Sequence, residues 1–594
     1  MWDINPFKYN RRTSSEVKIG QLLLGGNNPV RVQSMANTDT NDIQGSVDQG
    51  IRIIQAGADL VRYTTQGIRE AESAKLIHDG IREKGFSTPL VADIHFNANA
   101  ADVAARNVEK VRINPGNYVG SVKIGDNSDY TDEEFEREYQ KIRDRFIPFL
   151  EICKANHTAI RIGVNHGSLS ERMMNRYGDT PQGMVASCME FLEICREQNF
   201  NNVVISMKTS NTVMMVHTVR LLVLEMEKND FHFPLHLGVT EAGDGEDGRI
   251  KSAVGIGTLL LDGIGDTIRV SLSEEPEAEI PVAKLLVEYS EARNLAPEIN
   301  TKYNEAIIKY EYTRRQSHTV GKIGGENVPV VVSHADGGFV TVPDFLLIDN
   351  KVKSTSGDEF TVYNATQLTE LLTDNASIRF LKLCYSELND EIISVLKSNL
   401  NIIILLDACY INSVSEMRAF FQALIATDCK TPVILCKTYR ETKLEDLQIK
   451  AASDFGALFI DGYGDGIFIQ NKGEITVEQI TSVAFGILQA SRVRVTKTEY
   501  VSCPSCGRTM FNLQTVIARI KGRTSHLKGL KIGIMGCIVN GPGEMADADY
   551  GYVGAGRGKV SLYKKKECIE RSIPEEEAVE KLIDLIKVNG DWHD

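Results

Sequence analysis

The sequence predicts an α/β protein in three parts: an N-terminal TIM barrel over 1–295, a degenerate TIM-barrel-like domain over 296–490, and a small C-terminal α+β domain over 491–594. Three observations carry this. Short apolar runs alternate with helical patterns eight times in the first part. A turn-centred motif near its end recurs 199 residues later. A Cys-x-x-Cys pair and a third, separate cysteine fall in the last part.

The eight apolar runs are Val30–Met35, Leu60–Tyr63, Leu90–Ile94, Lys110–Ile113, Ala159–Val164, Val203–Met207, Leu235–Val239 and Thr267–Leu272. Strands alternating with helices imply a parallel sheet. Eight such units in about 250 residues match a barrel whose active site lies at the strands' C-terminal ends. Those ends carry Arg62 on the second run, Asp93 and His95 on the third, and Arg112 on the fourth. Arg161, Asn165 and His166 follow on the fifth, Ser206, Lys208 and Asn211 on the sixth, Glu241 on the seventh, and Arg269 and Ser271 on the eighth.

A single long cation at a strand end reaches solvent easily. Five converging ones repel, and burying them unpaired costs several kcal/mol each. Asp93 and Glu241 are the carboxylates at hand, so a multiply charged anion, most simply a diphosphate, is expected to supply the missing charge. Glu241 lies among cations that keep it ionised and able to move a proton. The simpler reading makes it a counter-ion for Lys208 or Arg269.

Residues 253–270 and 452–469 share Ala253, Gly257, Leu259, Asp262, Gly263, Gly265, Asp266 and Ile268 at that constant offset. A duplicated helix–turn–strand unit explains the match. Further strand-like runs are Val328–Val332, Phe345–Ile348, Ile378–Leu383, Ile402–Leu406 and Val433–Cys436. The segment is short for a full barrel, and Phe468 replaces Arg269, so the middle part reads as a structural spacer.

In the last part, Ser491–Tyr500 alternates as a strand leading to Cys503, 512–521 reads as a helix, and Leu530–Met535 is a strand ending at Cys537. Cys503, Cys506 and Cys537 with Glu544 suggest a metal or iron–sulfur site with one weak corner. The pair alone is compatible with zinc, a redox dithiol or a cluster. A closed zinc site needs a fourth ligand, and Cys568 lies in a charged run. A dithiol leaves Cys537 unexplained. The glycine-rich 551–559 reads as a hairpin rather than a phosphate loop.

Composition narrows the partners. At 42% hydrophobic and 25% charged, the 594 residues are ordinary for a soluble chain. A net charge of −14 disfavours nucleic acid. The opening residues lack the apolar core of a signal peptide, and no apolar run reaches membrane-spanning length, so a cytoplasmic chain is expected. Eleven cysteines there argue against a disulfide framework. Cys153, Cys188, Cys195, Cys384, Cys409, Cys429 and Cys436 read as small buried hydrophobes.

The motifs together resemble one family closely. Cys503-Pro504-Ser505-Cys506-Gly507-Arg508 and Cys537-Ile538-Val539-Asn540-Gly541-Pro542-Gly543-Glu544 are similar to those of the 4-hydroxy-3-methylbut-2-enyl diphosphate synthases of the methylerythritol phosphate route to isoprenoids. Barrel motifs around Met35, Asp93, Arg112, Asn165, Lys208 and Glu241 agree, and the middle part resembles the extra domain of one branch. The resemblance implies an iron–sulfur oxidoreductase that reductively opens 2-C-methyl-D-erythritol 2,4-cyclodiphosphate and removes a hydroxyl as water. It implies a [4Fe–4S] cluster on Cys503, Cys506, Cys537 and Glu544. Arg62, Arg112, Arg161, Lys208, Arg269 and Ser271 would hold the diphosphate. Asn165 and Glu241 would lie beside the carbon skeleton, Glu241 as acid/base, with Asn540 and Arg508 facing from the cluster side. Reduced flavodoxin or ferredoxin would supply electrons, and a homodimer is compatible. The rival readings are a zinc-dependent phosphoester hydrolase and a non-catalytic electron-transfer protein.

Overall fold

The computed structural model describes residues 4–95, 97–119, 130–303, 310–335, 337–539 and 541–593. Eight parallel strands form the first barrel: β1 (Arg31–Met35), β2 (Leu60–Thr65), β3 (Leu90–Ile94), β4 (Lys110–Ile113), β5 (Ala159–Asn165), β6 (Val203–Lys208), β7 (His236–Leu237) and β8 (Thr267–Ile268). They pair in the order β6-β5-β4-β3-β2-β1-β8-β7, and a parallel bridge from Ile205 to Leu235 closes the ring. The last two strands are shorter than the sequence predicts.

Register decides what fills this barrel. Asp93 pairs with Arg112, Arg112 with Arg161, and Arg62 with Met35. Side chains alternate along a strand, so these residues point inward as one layer. Beneath them Leu60, Val91, Ala159 and Val204 form an apolar floor. The hairpin of Val17–Ile19 and Leu22–Leu24 closes it from below with Val17, Ile19 and Leu24. Water is thus excluded from one end, and the site can open only at the other.

The middle part is a complete closed barrel of eight strands, which corrects the expectation that it was too short. Phe345–Ile348, Lys351–Ser354 and Glu359–Asn364 pair antiparallel. Hairpin turns take few residues where a parallel crossover takes a dozen or more, so the ring closes within fewer residues. Two of these strands lack apolar runs, because one of their faces meets solvent. The interior is packed with Val330, Val332, Phe345, Phe360, Phe380, Ile403, Leu405, Ile434 and Phe468. That leaves an apolar core where the first barrel holds cations.

The recurring motif turns out to be an interface. The helical stretch Ala253–Leu261 of the first barrel packs on helix Leu444–Ile460 of the second, with Gly257 against Ser453 and Gly456 against Val254. Beside them Arg220 and Arg418 each bridge both Asp262 and Asp461 at 2.8 Å, all four fully or nearly fully buried.

The last part is a five-stranded sheet of Glu499–Ser502, Lys531–Met535, Tyr550–Gly556, Lys559–Lys564 and Glu567–Pro574, covered by helices Leu513–Thr524 and Glu575–Val588. The glycine-rich stretch forms the predicted hairpin. The first strand begins only at Glu499, because Arg494 turns away to pair with Asp344 of the second barrel at 3.1 Å. Five of the seven cysteines expected in the core are buried, whereas Cys384 is half-buried and Cys409 exposed. Among the described residues, no helix is long and apolar enough to cross a membrane.

Candidate active site

The C-terminal ends of the first barrel's strands and the cysteine module close over one cavity of about 730 Å³, its mouth included. From the barrel come Arg62, Asp93, His95, Arg112, Arg161, Asn165, Lys208, Glu241, Arg269 and Ser271. The module adds Cys503, Cys506, Arg508, Cys537 and Glu544. Every residue to which the resemblance gives a role lies here except Asn540, which falls outside the described residues, and of the other strand-end residues Ser206 does not line the cavity. His166 instead pairs with Asp179, and Asn211 caps helix Thr212–Lys228.

The module is held on by its own strand. Ala242 bridges to Ser502 in parallel fashion. Ser273 Oγ lies 2.9 Å from Ser502 Oγ and donates to the Cys503 carbonyl at 2.9 Å. On the far side Gly543 meets Gly167 backbone to backbone. A Cβ on Gly543 would lie 2.5 Å from the Gly167 carbonyl oxygen, so only glycine allows this approach. The turn thereby brings Glu544 over the barrel, where its Oε1 accepts from Asn165 Nδ2 at 3.0 Å.

Compensating charge is arranged differently from the expectation. Asp93 accepts from Arg112 at 3.3 Å and from His95 at 3.1 Å. Burial pushes its carboxyl up, yet Arg62, His95 and Arg112 outweigh that and hold it well below the usual range. The second compensating carboxylate is Glu279, at the start of helix Glu279–Glu291. It grips Arg269 at 3.1 and 2.9 Å, and also accepts from Ser34 Oγ and the Leu272 amide. No strand-end motif points to it. Met35 Sδ accepts from Arg62 at 3.0 and 2.7 Å.

Glu241 forms no ion pair within 4.0 Å among the described residues, although the charge of Lys208 acts on it. Burial, then the charge of Glu544, push its carboxyl well above the ordinary range. Its backbone has φ of 50°, a strained conformation typical of functional sites. Burial drives Lys208 down, and Arg161 and Arg62 drive it further. Arg62 falls to about 10 chiefly through burial. His95, buried and facing Arg508, drops to about 3 and is neutral at physiological pH.

Cys503, Cys506 and Cys537 are half-buried along one wall of the cavity, and Cys503 Sγ accepts from the Gly536 amide at 3.2 Å. Among the described residues no three such ligands converge on a single ion. The three thiols and the Glu544 carboxylate line the same cavity. Cys568 lies on an outer strand, away from the cavity.

Fold and cavity together define a TIM-barrel protein with a buried, cation-rich cavity at its strand ends, closed over by a cysteine-bearing module. The GcpE TIM-barrel domain matches residues 14–284, and the GcpE protein C-terminal domain matches 499–588. The chain is 57% identical to 4-hydroxy-3-methylbut-2-en-1-yl diphosphate synthase (flavodoxin) of Phocaeicola vulgatus over 99% of both chains. It is 56% identical to that of Parabacteroides distasonis over 99% of both, and 40% identical to that of Leptospira interrogans over 99% of this chain and 98% of the other. The chain belongs to the 4-hydroxy-3-methylbut-2-en-1-yl diphosphate synthase (flavodoxin) family.

Proposed function

We propose that the protein reductively opens 2-C-methyl-D-erythritol 2,4-cyclodiphosphate to (E)-4-hydroxy-3-methylbut-2-enyl diphosphate, in non-mevalonate isoprenoid biosynthesis. The observation that carries this reading is the cavity itself. Five barrel cations and three thiols face one space, and Asn165 and Glu544 join its halves within a single chain. The substrate's diphosphate supplies the anion that Arg62, Arg112, Arg161, Lys208 and Arg269 call for, with Ser271 as a hydrogen-bond donor. Cys503, Cys506, Cys537 and Glu544 would hold a [4Fe–4S] cluster, which supplies electrons one at a time and an iron with affinity for a substrate oxygen. Glu241, beside the carbon skeleton, serves as the acid/base group that gives the departing hydroxyl its proton. Asn165 and Asn540 orient the skeleton, and Arg508 closes the cavity from the module side.

Residues 1–295 thus bind substrate, 296–490 hold the module at its station, and 491–594 carry the cluster. The names of the relatives favour reduced flavodoxin as donor. Free thiols throughout the chain suit the reducing cytosol. Anaerobic protein should be brown, bind about four irons per chain, and turn over the cyclodiphosphate with reduced flavodoxin. Colourless, zinc-loaded protein that hydrolyses phosphoesters would refute the reading.

A further inference from the structure

The cysteine-bearing wall of the cavity has an outer face that the scheme above leaves without a role. Residues 509–511 and 536–538 run side by side there, the Met510 amide donating to the Gly536 carbonyl at 3.0 Å. Thr509, Gly536 and Cys537 line the cavity. Their chain neighbours Met510 and Ile538 do not line it and are 38% and 57% exposed. At these points the chain itself spans the wall from cavity to solvent, and two large apolar side chains stand on the outside.

A charged rim abuts the same wall. In the hairpin of Tyr550–Gly556 and Lys559–Lys564, a Cβ on Gly554 would lie 2.3 Å from the Gly536 carbonyl oxygen and 3.2 Å from Phe511 Cε1, so only glycine allows this approach. Phe511 also meets Tyr552 edge-on at 5.4 Å. The hairpin tip carries Arg557 and Lys559, both exposed, and neither forms an ion pair among the described residues. Glu575, whose amide donates to the Gly558 carbonyl at 3.1 Å, pairs with neither. The chain carries −14 overall. An acidic partner is therefore repelled by the protein as a whole and steered toward a local patch of unpaired cations.

The proposed reaction needs such a partner. Two C–O bonds break with their electron pairs remaining on oxygen. Two electrons become the new C=C pair, and one proton converts the released hydroxide to water, so the cyclic dianion becomes an open trianion. A carrier that gives up one electron at a time must dock twice, with its cofactor edge against the cysteine wall. We infer that Met510, Ile538, Arg557 and Lys559 form the docking surface for an acidic flavodoxin. The apolar pair meets the exposed edge of the flavin, and the two cations meet carboxylates around it. This rests on the proposed function, which takes reduced flavodoxin as donor.

Anaerobic calorimetry tests it, with oxidised flavodoxin titrated into the cluster-loaded, full-length chain. The double variant Arg557→Glu, Lys559→Glu is expected to bind about tenfold more weakly or worse, and to lose the fall of affinity with salt that the wild type shows. Met510→Ser should weaken binding about threefold. Turnover of the cyclodiphosphate by the double variant with dithionite, which needs no docking, should stay within about twofold of wild type, while its KM for flavodoxin rises about tenfold. Lys565→Glu with Lys566→Glu, exposed at the other end of the hairpin strand, is the control and should bind within about twofold of wild type. Undiminished affinity in the first two variants, an equal loss in the control, or a matching loss of dithionite turnover overturns the surface. Self-association of the wild-type chain that the double variant abolishes while flavodoxin affinity stays intact would give this face to a second copy instead. Failure of the wild-type chain to turn over the cyclodiphosphate with dithionite would strike the proposed function, whereas the binding comparison would still read the surface.

Discussion

Glu279 reaches the site from a helix, yet it fixes the orientation of Arg269 through two hydrogen bonds while Ser34 and the Leu272 amide fix Glu279 in turn. Glu279→Gln keeps the shape but removes the charge, so Arg269 loses its restraint. The expected outcome is a KM for the cyclodiphosphate raised about tenfold, with kcat within about threefold of wild type. A fall in kcat at unchanged KM would show that Arg269 is not a binding group positioned by Glu279. The cations themselves were legible in the sequence because barrel geometry places strand-end residues in one ring wherever the strands begin and end. Glu279 was not, because a helix-borne partner has no fixed offset from the strand it serves. Glu241 was legible as a site residue, but its surroundings were not, since its burial and its neighbour Glu544 depend on a module from another domain closing over it.

At the scale of elements, the strand Glu499–Ser502 fastens the module to the first barrel. Glu499 pairs with Lys251 of helix Gly245–Ser252 at 3.4 Å and with Arg492 at 3.2 Å, and Lys251 also donates to the Tyr500 carbonyl. Burial would raise this carboxyl, but Lys251, Lys531 and Arg492 prevail and bring it to about 2 from an ordinary value of 4.5. A depressed carboxylate stabilises the fold fully above its unfolded value and loses that contribution as pH falls toward the folded one. Glu499→Gln should therefore be less stable than wild type by on the order of 3 kcal/mol at neutral pH. The gap should shrink as pH drops below about 4.5, as measured by urea unfolding. A gap independent of pH would deny the ion pair its role. The recurring motif was visible in the sequence, whereas its use was not. Gly257 and Gly456 are small because two helices from different barrels press together there, and packing between distant segments leaves no local signal.

For the whole molecule, the second barrel has an apolar interior and is tied to the first by the buried ring of Arg220, Arg418, Asp262 and Asp461. Breaking one arm of such a ring leaves an uncompensated charge and costs about 3–5 kcal/mol. The module rests on the second barrel through Arg494 and Asp344 and reaches the first barrel of the same chain. A mixture of Glu241→Gln and Glu544→Ala chains should thus stay as inactive as either alone. Turnover regained on mixing would mean that modules are exchanged between chains.

Taken alone, the sequence determined the barrel, its ring of cations, the grouping of three cysteines in the last part and the family. Each of these rests on short-range periodicity or on motifs whose residues are near one another in the chain. Only the tertiary structure decided that the second barrel closes, that Glu279 rather than Glu241 balances Arg269, and that Glu544 leans on Asn165. These are contacts between residues far apart in sequence, set by register and by packing between domains.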